Sequence, residues 1–486
     1  MAARNDRNMD ISASLVVLLN EKHSPEHLQV LKTITAALRD EQFRETVKEE
    51  TFSGLLQVLT RLSDDLPAAA GDAENPQTAT LLLQLAAECF RAQRTSCVQN
   101  TRNQNLLRSL GFIGESVKLL TFLQNKCSNL WDGKYEALRC GIQFLGNLAV
   151  GNQKCKDDIW KNICPNLLLQ LMRSDDEKML DYTSMVLHTC LDDAKVEELS
   201  EPQNIPLALW VMELCRTQPN LDWTVLIATQ HFVRSSALVG SMYSVMSHPE
   251  RVTLLELVFA HLKEEESEDI GVPPDLACLL ANCFQKGCGA VLTLATGSTS
   301  SDEVLQEALT VISLLDVLCE MTSDHKQFMF LQDHPDLLVT AVELLKQVHA
   351  IGKASKNIFS AAQNFSTSGA DGDSSSHSPV VSFKAHLIRL IGNLCCGNAI
   401  NQDKVRELDG IALILDNCNI DSNNPFISQW AIFAIRNLLE KNPQNQALVA
   451  DLERRGPVDY SALRELGYQV EERDGNLLLK TVRKDP

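Results

Sequence analysis

The chain reads as an all-α protein, an armadillo/HEAT-like α-solenoid that ends in a short C-terminal β-hairpin. Three observations carry this. IGNLCCGNAINQDKV and IRNLLEKNPQNQALV match position for position, with Asn393 over Asn437, 44 residues apart. In each copy the apolar residues recur at i, i+3, i+4 and i+7: Leu387, Leu390, Ile391 and Leu394, then Ala431, Ala434, Ile435 and Leu438. That is the period of one helix face. The composition, 44% hydrophobic but only 5% aromatic, suits helix-on-helix packing better than sheets. A unit this small cannot close a core alone and must stack. A repeat of ~40–47 residues built from two or three helices marks armadillo and HEAT arrays.

Taken in order, residues 11–62 give amphipathic helices broken at Ser24-Pro25, where Ser caps and Pro fills the first turn. The polar run 63–77 is expected to be an exposed loop. TATLLLQLAAECFRAQ and NQNLLRSLGFIGESVKLL repeat the helix, break, Asn-Gln, helix pattern at Asn103-Gln104. ALRCGIQFLGNLAVGNQK is the clearest early copy, with Gly141, Phe144, Leu145 and Leu148 on the stripe and Gly151 at the break. A helix ends most easily on a residue that tolerates the left-handed conformation.

Helices continue through 166–200, and prolines 202, 206 and 219 punctuate a looser stretch. Residues 221–263, 275–296 and 303–349 are helical again, and the acid-rich KEEESEDIGVPPD reads as a solvated loop. Four segments result: armadillo-like repeats over 1–350, a Ser/Gly/Asp-rich disordered insertion over 351–382, C-terminal repeats over 383–456, and a terminal helix with a hairpin cap over 457–486. The hairpin rests on two β-prone runs around Asp474-Gly475. Length over period gives roughly ten repeats.

The 486 residues carry 63 acidic and 44 basic side chains, a formal charge of −19. A phosphate-tracking surface wants the opposite balance, so nucleic acid is not an expected partner, and anionic membranes are disfavoured too. No stretch reaches the ~18 apolar residues of a membrane span. The fifteen cysteines lie mostly in apolar helical runs (Cys140, Cys190, Cys319, Cys395), which fits buried thiols better than disulfides. With no signal-peptide pattern at the N-terminus, the expectation is a soluble intracellular protein.

Chemistry is sparse. Cys278, Cys283 and Cys288 are spaced C-x4-C-x4-C, but residues five apart do not share a helix face, and nothing nearby completes a zinc tetrahedron. His188, His231, His325 and His334 have no partner at motif spacing, and no P-loop, G-x-S-x-G or H-E-x-x-H occurs. No catalytic residue, metal site or cofactor is expected. Asn147, Asn393 and Asn437 stand off the apolar stripe, where an amide could bind the backbone of an extended peptide. The alternative is that they satisfy a helix end or a neighbouring loop. Ser378-Pro379, in the insertion, is a candidate for proline-directed phosphorylation.

HLIRLIGNLCCGNAINQDKVRELDGIALILDNCNIDSNNPF followed by WAIFAIRNLLEKNPQNQALVADLE closely resembles the C-terminal region of the ataxin-10 family. CFRAQR, RCGIQFLGNLA, ERVTLLEL, SLLDVLCEM and NIFS extend the resemblance along nearly the whole chain. The resemblance implies a non-catalytic armadillo-like protein of the cytoplasm and perinuclear region, found also at the centrosome or cilium base and the midbody. It implies roles in cytokinesis, neuron survival and neurite outgrowth, and self-association through the C-terminal part. The partners it implies are a heterotrimeric G-protein β subunit and the O-linked N-acetylglucosamine transferase. It supplies no catalytic residue. The rival expectation is a peptide-cargo adaptor resembling nuclear import receptors. That needs Asn and Trp at regular intervals on successive last helices, and Trp131, Trp160, Trp210, Trp223 and Trp430 show no such period.

Overall fold

The computed structural model describes residues 15, 19, 22–71, 76–126, 132–264, 271–296, 302–323, 326–354, 359, 382–418, 423–455, 468–473 and 476–481. Two compact units emerge, Met1–His231 and Phe232–Pro486. The phosphorylation candidate Ser378, most of the 351–382 insertion and the terminal helix expected after Gly456 lie outside the described residues.

The first unit runs α1 Pro25–Leu38, α2 Glu41–Thr46, α3 Glu49–Gly71, α4 Pro76–Ser96, α5 Thr101–Leu110, α6 Phe112–Lys126, α7 Lys134–Ala149, α8 Gln153–Ile163, α9 Asn166–Leu171, α10 Glu177–Cys190, α11 Asp193–Leu199, α12 Ile205–Thr217 and α13 Asp222–Gln230. Its packing has a period of three helices: α1 lies on α4, α4 on α7, α7 on α10 and α10 on α13. A stack in which every third helix meets its counterpart is the armadillo arrangement, in which each repeat buries its apolar face on the next. The stripe residues Phe144, Leu145 and Leu148 are fully buried, and Phe144 stacks on Phe90 of α4 with ring centroids 6.3 Å apart.

The loop expected over 63–77 is instead helix as far as Gly71, with Pro67 inside it. Burial outweighs the proline penalty here. Ser63 is 3% exposed and Leu62 and Leu66 are fully buried, so the last turns of α3 are held by packing.

The second unit runs α14 Ser236–Val245, α15 His248–Glu264, α16 Pro274–Gly287, α17 Gly289–Thr296, α18 Asp302–Met321, a 3₁₀ turn Lys326–Asp333, α19 Leu337–Ala354, α20 Phe383–Cys395, α21 Ala399–Glu407, α22 Gly410–Asp416, α23 Ile427–Leu439 and α24 Pro443–Arg455. The same ladder recurs as α15 on α18, α18 on α20 and α20 on α23. The 3₁₀ turn takes the place of a first helix between α18 and α19. Two strands close the described chain, β1 Tyr468–Arg473 and β2 Asn476–Thr481. They pair antiparallel from Tyr468 opposite Thr481 to Arg473 opposite Asn476, and β2 lies beside α24.

One stretch, Pro274–Leu294, is long and apolar enough by composition to cross a membrane, contrary to the expectation that none would be. Its helix is broken at Cys288, and Leu276, Ala277, Leu280, Ala281 and Phe284 are buried within the unit. The stretch thus packs one face of its first helix into the unit.

Candidate functional site

The break after α7, α20 and α23 has a shared geometry. The residue before the cap turns left-handed, at Gly151 (φ 69°), Gly397 (φ 64°) and Lys441 (φ 54°). An asparagine follows and caps the next helix. Asn152 accepts from the Cys155 amide, Asn398 from Asn401 and Asn442 from Asn445, at 3.1–3.2 Å. The side chain thus satisfies a donor that the helix start leaves orphaned.

The residues that follow these caps bind across the seam. In the second unit Asn401 Nδ2 donates to Leu394 O of its own repeat and to Gln332 O of the preceding one, both at 2.8 Å. Asn445 repeats this with Leu438 O and Gln402 O. Gln402 Nε2 donates forward to Asn437 O at 2.9 Å, and Gln332 Nε2 to Asn393 O and Cys396 O. In the first unit Gln104 Nε2 reaches Asn147 O and Val150 O, each at 2.9 Å. A helix end leaves its last carbonyls without intrahelical partners. Here the neighbouring repeat supplies them. Asn442 Nδ2 in turn donates to Gln402 Oε1 at 3.2 Å. At Gln446, the counterpart of Gln402 in the last copy, the side-chain oxygen is buried and has no partner among the described residues.

The three asparagines expected to face a bound peptide belong to this seam. Asn393 is 3% exposed and donates to Cys319 O at 3.1 Å and Thr322 Oγ1 at 3.0 Å. Asn437 is 6% exposed and donates to Gly392 O at 3.0 Å. Asn147, half-buried, donates to Arg94 O at 3.2 Å. Each bonds the helix three elements earlier. A neighbouring helix comes close enough there to take the amide, so at Asn393 and Asn437 the side-chain nitrogen is engaged within the fold. Sequence reasoning missed Gln104, Gln332 and Gln402 as seam residues. The recurring Asn-Gln pair was visible, but its reach into the next repeat was not.

Charged side chains cross the same helix ladder. Arg139 Nε meets Asp176 at 2.8 Å, holding that carboxyl below its usual range. Arg91 bridges Glu88 at 2.9 Å and also Glu136. Arg389 pairs with Glu320 at 3.2 Å and lies 4.8 Å from the Trp430 ring centroid. One step differs: Asp181 has its carboxyl raised, first by burial and then by the like charge of Asp222.

The grouping that comes nearest to catalytic chemistry is His386, Asp316 and Cys319. His386 Nδ1 lies 2.5 Å from Asp316, but the Cys319 thiol donates to the His386 carbonyl, not to the ring. Burial raises that thiol far above neutrality. The thiols of Cys278, Cys283 and Cys288 are raised too, first by burial. A thiol kept protonated is a poor nucleophile and a poor metal ligand. No group of three potential metal-ligating residues occurs among the described residues.

Comparison with known proteins adds the following. Residues 383–480 match the family model described as the spinocerebellar ataxia type 10 protein domain. The chain is 42% identical to ataxin-10 of Xenopus tropicalis over 494 residues, covering 100% of both chains. It is 41% identical to ataxin-10 of Homo sapiens over 465 residues, covering 95% of each. An ataxin-10 homolog of Dictyostelium discoideum is 46% identical over 103 residues, 21% of this chain and 17% of that one.

Proposed function

The chain belongs to the ataxin-10 family, and on that premise we propose that it is a non-catalytic armadillo scaffold for protein–protein interaction in cell division and neuronal signalling. The observation that supports this most is the seam itself. Buried amides join neighbouring repeats around α4–α8 and from the 3₁₀ turn to α24, which fixes helix spacing there and holds the surface in one shape. By the family resemblance its processes are cytokinesis, neuron survival and neurite outgrowth, in the cytoplasm and perinuclear region and at the centrosome, cilium base and midbody. Its partners would be a G-protein β subunit and the O-linked N-acetylglucosamine transferase, with self-association through the C-terminal repeats. Among the described residues the stitching ends at Gln446, whose buried side-chain oxygen has no partner there. We assign the hairpin beside α24 the role of covering that end.

The test is affinity capture with the intact chain and with 383–486 deleted. Capture of a G-protein β subunit, the transferase or a second copy by the intact chain, lost on deletion, supports the reading. Failure of the intact chain to capture any of them contradicts it. The peptide-cargo alternative is weakened by the asparagines, whose amides are already spent on neighbouring helices.

A further inference from the structure

A cavity of about 210 Å³ opens in the second unit between the start of α16 and the 3₁₀ turn, lined by Gly271, Val272, Pro273, Pro274, Gln327 and Phe328. The walls are apolar, and Phe328 is fully buried. Two donors are near it, Gln327 in its lining and Arg234 against its Gly271 wall. The side-chain nitrogen of Gln327 is buried without a hydrogen-bond partner among the described residues. The guanidinium of Arg234 is pressed against Gly271, with Cζ 2.9 Å from where a β-carbon would sit. That contact and a φ of +70° both require glycine at 271. Arg234 is exposed and is engaged by no ion pair among the described residues.

A buried amide donor without an acceptor is costly to keep, and a guanidinium offers donors only. Together they call for an anionic acceptor. The volume is below the roughly 300 Å³ where drug-sized pockets begin, and corresponds to about one side chain. We propose that this cavity takes the last residue of a partner polypeptide, its apolar side chain against Val272, Pro273 and Phe328 and its free carboxylate on Gln327 and Arg234. Capture of a chain end by converging donors is an established recognition mode, and guanidinium–carboxylate pairing is the strong form of it. An internal Asp or Glu lacks the apolar group on the same residue. The exposed Asp275, next along α16, repels an anion, so removing its charge should strengthen binding. The proposal rests on the scaffold reading only in taking the carboxylate from a protein. Its failure would leave capture by other surfaces untouched.

The experiment titrates the full chain into a fluorescein-labelled hexapeptide ending in leucine with a free carboxylate, and into the same peptide amidated. The acid form should bind at least about tenfold more tightly. Arg234→Ala and Gln327→Ala should each erode that preference, and Asp275→Asn should increase it, with melting temperature as the check on folding. Equal binding of acid and amide, or a preference unchanged in Arg234→Ala, overturns the proposal. So does 4-methylpentanoate competing as tightly as the peptide itself, which would make this a site for small free acids.

Discussion

The Asn437 side chain donates to the main-chain carbonyl of Gly392, 3.0 Å away on the counterpart helix of the preceding repeat. Gly392 lies at a close approach of α20 and α23, since a β-carbon added there would sit 3.0 Å from the Ala434 backbone. The amide and the glycine are therefore one device: the small residue lets the helices meet, and the amide fixes their register. Gly392→Ala must push α23 away and should lower the melting temperature by several degrees, in the range expected of overpacking, about 1–3 kcal/mol. A fully stable variant would show that the contact is not close-packed.

Gln402 should be among the most sensitive positions in the chain. It is 2% exposed, donates to Asn437 O and accepts from Asn442. Gln402→Leu keeps the size but orphans both partners, at a cost of ~1–3 kcal/mol for each buried group left unpaired. Chemical denaturation measures this directly. Loss below about 0.5 kcal/mol would mean that water replaces the stitch.

Phe426 is 66% exposed and sits at φ 68°, immediately before α23. A left-handed conformation costs a residue with a side chain about 1–2 kcal/mol, and exposure means little packing is lost on truncation. Phe426→Gly should therefore raise stability by roughly 1 kcal/mol. A drop on thermal unfolding would show that the ring packs in solution.

Two carboxylates should respond to pH with opposite signs. Asp176 is held low, first by Arg139, so its contribution is present above the unfolded carboxylate pKa and is lost as pH falls through the folded value. Arg139→Ala should lower the melting temperature at pH 7 and matter less in acid. Asp181 is held high by burial and then Asp222, so ionising it opposes folding once pH exceeds the unfolded value. Asp181→Asn should stabilise at pH 7 and do nothing near pH 3. Melting curves at both pH values check the pair, and a common sign would contradict it.

Periodicity revealed what depends on single-helix geometry. The stripes at Phe144, Leu390 and Ala434 are buried as their spacing requires, and the breaks fall at Gly151 and Gly397. What lies between helices was harder to see. Asn393 looks the same in sequence whether its amide meets a peptide or Cys319 O, because the choice depends on a helix more than 70 residues away. The extension of α3 through Pro67 was hidden for the same reason, since the burial of Leu66 comes from tertiary packing that local proline and polar signals do not report. The cavity at Gln327 left no motif, because its walls come from segments some fifty residues apart.

The central claim is that the repeated amides hold the array together instead of reading a partner. The double variant Asn393→Ala, Asn437→Ala tests it most directly, with denaturant unfolding and partner capture measured on the same preparation. Each lost amide leaves a buried carbonyl without its donor, at ~1–3 kcal/mol apiece. The account predicts a clear fall in stability, with capture unchanged in whatever fraction stays folded. Unchanged stability with capture abolished would contradict it and return these asparagines to the binding face.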